Sequence, residues 1–153
     1  MDTHDAHAVQ AVISRAGTLE AVAVVRVIPY GRAYALPFDT FEPGIAKAQH
    51  WGEVSRMGIS QTANLTNEER REVLCHLFKA VYQLSLDLGV SHWVCMLPTA
   101  LQLRMAMCGV AFEAIGLPVE YHGVRQPCAG VAHRILSSLE TEDQGMYNFI
   151  INR

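Results

Sequence analysis

Positive charge is in short supply in this sequence. Its 153 residues carry 12 lysines and arginines against 15 acids, a formal net charge of -3. That leaves no basic field with which to grip a phosphate backbone, and nucleic acid is not an expected partner. Metal-ligand spacing is missing as well. The four cysteines, Cys75, Cys95, Cys108 and Cys128, form no CxxC, and none of the seven histidines stands in an HxxxH or HxH pattern. Neither a structural zinc nor a disulfide framework is expected, and the thiols read as small hydrophobic packing groups. No run approaches the roughly 18 apolar residues of a membrane span. The opening MDTHDAHAVQ is polar and acidic rather than basic and then apolar, so no secretory signal is expected and a cytoplasmic location follows by default. Repeats and low-complexity segments are absent too.

What is present is a core-forming composition. Half the residues are apolar and 18% are charged, which places the chain among folded globular domains. Its length fits a single domain over residues 1–153, able to bury roughly two thirds of the surface its unfolded chain would expose.

Along the chain, the run from Ala8 to Ile13 is short and apolar. Then comes the turn signal Arg15-Ala16-Gly17-Thr18 and the β-branched stretch from Ala21 to Ile28. Together these predict a hairpin whose second strand is covered on both faces and ends at Pro29. From Tyr30 to Trp51 there is no sustained period, and Gly31, Pro37, Pro43 and Gly44 interrupt it. A connection this long is usually functional. Leu36-Pro37-Phe38-Asp39 predicts a loop partly anchored over the sheet, with a lid as the sharper alternative.

A strand is expected over Gly52 to Ile59, then a helix capped by Thr66. Glu69, three residues on, completes a capping box, and Glu68 and Glu69 suit the positive helix end. Leu74, Leu77, Phe78, Val81, Leu84 and Leu88 form its apolar stripe, and Gly89 is the expected stop. Ser85 within the stripe is read as a small residue permitting close approach to the sheet. His92 to Leu97, entered directly from that helix, predicts a central strand parallel to the earlier one. A second helix is expected over roughly Ala100 to Cys108. Residues 111–115 and 119–122 predict one bent strand or a pair. Arg125-Gln126-Pro127 is expected to break the pattern, and Gly130 to Leu136 to add a strand or a short helix. The tail, through Tyr147 and Phe149 to Ile151, is expected to pack down.

Two charged positions stand out. Arg26 is surrounded by apolar neighbours in its strand, and a guanidinium cannot shed its charge, so it requires a carboxylate, a carbonyl or an anionic ligand. Glu53 and Arg56 lie three apart in a segment that otherwise reads as buried. Removing either group from water costs several kcal/mol, on the order-of-magnitude scale, without a partner. One reading is a structural ion pair at a sheet margin; the other is a site. Burial would raise the pKa of Glu53 and make it a better base at neutral pH.

The segments Arg26-Val27-Ile28-Pro29, Glu53-Val54-Ser55-Arg56-Met57, Ser91-His92-Trp93 and Gly116-Leu117-Pro118-Val119-Glu120-Tyr121-His122-Gly123, in this order and spacing, resemble the GCN5-related N-acetyltransferase (GNAT) superfamily. The resemblance is to the branch of autoinducer (acyl-homoserine-lactone) synthases and long-chain N-acyl amino acid synthases, over about residues 8–123. It implies an α/β (α+β) fold: a mixed, mostly antiparallel sheet with a central parallel strand-helix-strand unit, helices on both faces and a shortened N-terminus. It also implies an N-acyltransferase with no tightly bound cofactor. The co-substrate would be an acyl carrier protein or coenzyme A thioester, its pantetheine arm lying between the strands at Met57 and Trp93, and a small amine would be the acceptor. Glu53 would then be the general base. Arg26 and Arg56 would orient the acceptor's carboxylate or hold Glu53 ionised. Met57, Trp93, Met96, Met105 and Phe112 would line an apolar tunnel, or serve simply as core.

The missing first strand weakens a lactone-forming reading, and a homodimer partner is one way to supply it. Ser60 to Asn64 lacks the glycine-rich basic loop that holds the coenzyme A pyrophosphate in ordinary members, which favours a carrier-protein donor. The competing expectations are a binding protein that keeps the fold without the chemistry and a small acetyl-coenzyme A acetyltransferase.

Overall fold

In a computed structural model the described residues are 4–31, 34–41 and 47–152. Strands β1 (Val9–Ser14) and β2 (Ala21–Pro29) form the expected antiparallel hairpin. β3 (Trp51–Ile59) pairs antiparallel with β2 and parallel with β4 (His92–Leu97), and helix α1 (Asn67–Leu88) is the crossover between β3 and β4. After α2 (Thr99–Met107) come two short strands, β5 (Glu113–Ala114) and β6 (Val119–Glu120). Both pair with β7 (Val124–Val131), and the helices α3 (Ala132–Glu142) and α4 (Gln144–Ile151) follow. The sheet order is β1-β2-β3-β4-β7-β5, with one parallel pair.

The secure sequence signals sit where their chemistry puts them. Thr66 accepts from the Glu69 amide at 3.2 Å while the Glu69 carboxylate accepts from the Thr66 amide at 2.6 Å, and Gly89 ends α1 in the left-handed region at φ 68°. The side chains of Leu74, Leu77, Phe78 and Val81 are buried, together with Ser85. The tail packs down through Met146 and Ile150 of α4.

One expectation is overturned. β7 does not break at Gln126-Pro127 but runs through both as an inner strand, with Met96 opposite Pro127. A proline is tolerated because its carbonyl accepts from the Ile115 amide at 3.0 Å on the β5 side. The missing N–H therefore points toward the side where β5 is ending, and no β4 ladder bond is lost.

The two faces of the sheet are covered differently. One core joins Val25, Val27, Val54, Trp93, Cys95 and Cys128 of the strands to the buried faces of α1, α3 and α4. The other is small: Ile28, Phe38, Leu36 and Val94, under a 3-10 turn at Pro37–Thr40. The helical cover expected on both faces is α-helical on one and 3-10 on the other, in the turns Asp5–His7 and Pro37–Thr40. Leu36 and Phe38 are buried, so the described part of the long connection is the anchored loop. Pro43 and Gly44 lie outside the described residues.

Candidate active site

Parallel pairing of β3 with β4 lasts only from Trp51 opposite His92 to Glu53 opposite Val94. Beyond that point β4 stays bonded to β7 as far as Leu97 opposite Gln126, while β3 stays with β2. The register between β2 and β3 slips by one residue, because Val24 faces Gly58 but Arg26 faces Ser55. Within this slip Arg56 takes a left-handed conformation, φ 51°, that a non-glycine residue seldom adopts. A bulge of this kind bends its strand, and the two strands part just past Glu53.

A cavity of about 530 Å³ fills the gap, lined by Arg26, Phe38, Glu53, Arg56, Met57, Met96 and, across the mouth, Tyr121, His122 and Arg125. Glu53 is buried at 3% exposure. Its Oε2 accepts from the Phe38 amide at 2.8 Å, its one side-chain hydrogen bond among the described residues. Burial pushes its pKa up to about 7. The Phe38 amide and then the Arg26 charge act against that rise, Asp39 adds to it and Lys47 opposes it. A carboxyl group in a cavity with a midpoint near neutrality can take up and release a proton under ordinary conditions.

Arg26 does not seal this carboxyl group. Its Nε donates to Ser55 Oγ at 3.0 Å and its Nη1 to Asp5 Oδ1 at 2.9 Å, and its charge reaches Glu53 only through space. Asp5 also holds Arg56, Nη1 to Oδ1 at 3.2 Å. The two guanidiniums are therefore bridged by one carboxylate from the N-terminal 3-10 turn (Asp5–His7), which is itself pinned by His7 stacked on Tyr34 at 4.1 Å. The 3-10 turn that supplies the Phe38 amide is braced in a similar way. Asp39 accepts from the Leu36 amide at 2.8 Å, and Lys47 is ion-paired to Asp39.

Of the residues expected at the site, Glu53, Arg26, Arg56, Met57 and Met96 meet at this cavity. Trp93 and Phe112 do not line it. Strand alternation turns Trp93 to the helix-covered face, where it is fully buried, 5.8 Å from the Phe78 ring and with its Nε1 donating to Ser85 Oγ at 2.8 Å. Phe112 lies over Gly130, so close that a Cβ there would meet its ring at 2.8 Å. Met105 is likewise in the helix-side core. The gap is therefore flanked by Met57 and Met96 rather than by Met57 and Trp93. Ser85, read above as a mere space-saver, is the partner that a buried indole N–H requires.

The sequence reading missed Asp5, the Phe38 amide and the Tyr121-His122-Arg125 hairpin tip. It also missed a second groove of about 380 Å³ between α1 and α2, whose walls include Ile59, Leu74, Leu101 and Met107 with Arg70, Arg71 and Arg104. None of these three arginines has an ion-pair partner among the described residues.

Comparison with solved structures decides the fold. TofI, in a ternary complex with an inhibitor and MTA, superposes with a TM-score of 0.70 at 16% identity, covering 92% of this chain and 73% of TofI. BjaI, a CoA-dependent acyl-homoserine lactone synthase solved with MTA, gives 0.71 at 16% identity, covering 98% and 68%. The chain has the autoinducer-synthase fold. FeeM, an N-acyl amino acid synthase from uncultured soil microbes, shares that fold with a TM-score of 0.62 at 14% identity, covering 86% and 71%. No protein-family model matches the sequence, and no curated protein matches it.

Proposed function

We propose that the protein is an N-acyltransferase that moves an acyl group from a thioester to the amine of a small acceptor. The observation that carries this reading is Glu53: a nearly fully buried carboxyl group with a midpoint near 7, opening on the cavity where the sheet divides. Aminolysis of a thioester needs an ammonium group to lose a proton before nitrogen attacks the carbonyl carbon, and Glu53 accepts that proton directly or through one water. As the tetrahedral adduct collapses, the C–S bond breaks, the nitrogen gives up its second proton, and the leaving thiolate takes up that proton as free thiol. Past Val94, the β3-facing edge of β4 has no strand partner among the described residues, so its backbone amides are available to the oxygen on which charge builds.

The Arg26 charge, held in place by Asp5, opposes the rise that burial imposes on the Glu53 pKa, and Asp5 fixes Arg56 beside it. Met57 and Met96 supply flexible apolar walls for the thioester and its acyl chain. The donor carries phosphate, as both coenzyme A and a carrier protein's pantetheine arm do, and Arg70, Arg71 and Arg104, which have no ion-pair partner among the described residues, suit it. Mass spectrometry of lipid extracts from cells expressing the protein, compared with cells expressing Glu53→Gln, tests the reading. An N-acylated amine found with the wild type and lost in the variant is the expected result; identical extracts from the two would overturn it.

A further inference from the structure

One acid near Glu53 has no part in the chemistry above. We propose that Asp39 is a positioning residue for acyl transfer: through the turn that it closes, it keeps the Phe38 amide against Glu53. The proposal rests on the acyltransfer reading and names a residue outside the cavity on which the base inside it depends.

The 3-10 turn at Pro37–Thr40 has few amides to give at its start. Pro37 has no N–H, the Leu36 amide donates to Asp39 Oδ2 at 2.8 Å, and the Asp39 amide donates to the Leu36 carbonyl at 2.9 Å. The Phe38 N–H is left as the donor at the head of the turn with no partner inside it, and it donates to Glu53 Oε2 at 2.8 Å. The bond from the Leu36 amide to Asp39 is the side-chain half of a capping box, an acid reaching back to the amide three residues before it. With both bonds made, the chain from Leu36 to Asp39 is closed on itself and the direction of the Phe38 N–H is set. Without the Asp39 carboxylate, the amide of the buried Leu36 loses its acceptor and the turn is free to open at that end.

Lys47 fixes the other side of the same carboxylate. Its side chain, 4% exposed, is ion-paired to Asp39 Oδ1, and its Nζ lies 5.8 Å from the centre of the Phe38 ring. The two oxygens of Asp39 therefore have separate partners, one within the turn and one beyond it. The charged groups that act on Glu53 are Arg26 on β2 and this pair. Asp39 raises the Glu53 pKa and Lys47 lowers it, so their charges oppose each other there, and the Phe38 amide outweighs each of the three. What the Asp39–Lys47 pair delivers to the site is the place of one N–H rather than a field.

Carbon-13 NMR of glutamate-labelled protein and thioester consumption, each followed against pH, test this with two variants. Asp39→Ala removes the brace and with it the Phe38 amide, so the Glu53 midpoint should rise, because the amide outweighs the Asp39 charge, whose loss alone would lower it. At neutral pH kcat should fall several-fold and recover as pH is raised, with KM for the thioester unchanged, since Asp39 does not line the cavity. A merely structural role gives no such recovery. Asp39→Asn keeps an oxygen for the Leu36 amide and guards against an alanine variant that misfolds; in it the midpoint should fall and transfer at neutral pH should persist. A midpoint that falls in Asp39→Ala, one that rises in Asp39→Asn, or a loss of kcat in Asp39→Ala that higher pH does not restore overturns the proposal. If Glu53→Gln stops thioester consumption while Asp39→Ala leaves the midpoint where it was, this assignment fails and the acyltransfer reading stands. If the midpoint follows both variants as expected but no amine consumes thioester, the acyltransfer reading fails and the hold of Asp39 on Glu53 stands.

Discussion

The two faces of one sheet are built on opposite rules. Among the described residues, the helix-covered face is a core of apolar side chains whose one buried polar side-chain pair is the Trp93 indole and Ser85. On the loop-covered face a glutamate is buried with one amide for company, and two arginines share one aspartate at the mouth of a cavity. The first face is built from apolar side chains. The second keeps costly groups out of water, which burial of apolar area alone gives no reason to do. Stability is concentrated on one side and chemistry on the other, so substitutions should sort by face.

The largest effects lie at the two centres. Glu53→Gln should lower acyl transfer by roughly 10²–10⁴-fold, the span of a general base, in a thioester-consumption assay. It should at the same time stabilise the protein at alkaline pH. The folded pKa of Glu53, about 7, lies above its unreacted value of 4.5. Its contribution to stability is therefore fully present below pH 4.5 and lost as pH rises through 7. Denaturant melts should show the wild type losing about 3 kcal/mol against the variant across that window. Trp93→Ala on the opposite face should cost about 3–5 kcal/mol of stability. In the protein that still folds, the midpoint of Glu53 should be unchanged. A variant that moved both would break the division between the faces.

Arg26→Met removes one holder of Asp5 and should cost about 3 kcal/mol, the scale of a broken buried pair. Because the Arg26 charge lowers the Glu53 pKa, the pH profile of transfer should move to higher pH in this variant, an effect no helix-face substitution should reproduce. The smallest change is Ser85→Ala, which strands the Trp93 N–H and should cost about 1–3 kcal/mol in a melt with transfer rates unaltered.

How much of this was legible in the sequence follows the same division. α1 and its caps could be read directly, because Thr66, Glu69 and Gly89 act locally and the apolar stripe has one period. Glu53 could be read as a buried acid because its neighbours are apolar whatever lies across the sheet. Its partner could not. The Phe38 amide comes from fifteen residues away in the chain, and a backbone N–H leaves no mark in a sequence. Asp5 was one acid among 15, and only the fold brings it to Arg26. Trp93 and Phe112 were assigned to the cavity because an aromatic in a strand suits a tunnel or a core equally well. Alternation relative to Val94 and Met96, together with the bare backbone of Gly130, turned both into the core. Pro127 looked like a break because the side of the strand to which its absent N–H points cannot be told from the chain alone.

The central claim is that the carboxyl group beside the divided strands changes charge near neutral pH. Carbon-13 NMR of protein labelled at glutamate, with the Glu53 resonance assigned by its loss in Glu53→Gln, follows that titration without any substrate. The account predicts a midpoint near 7; a midpoint at the ordinary glutamate value of about 4.3 would contradict it.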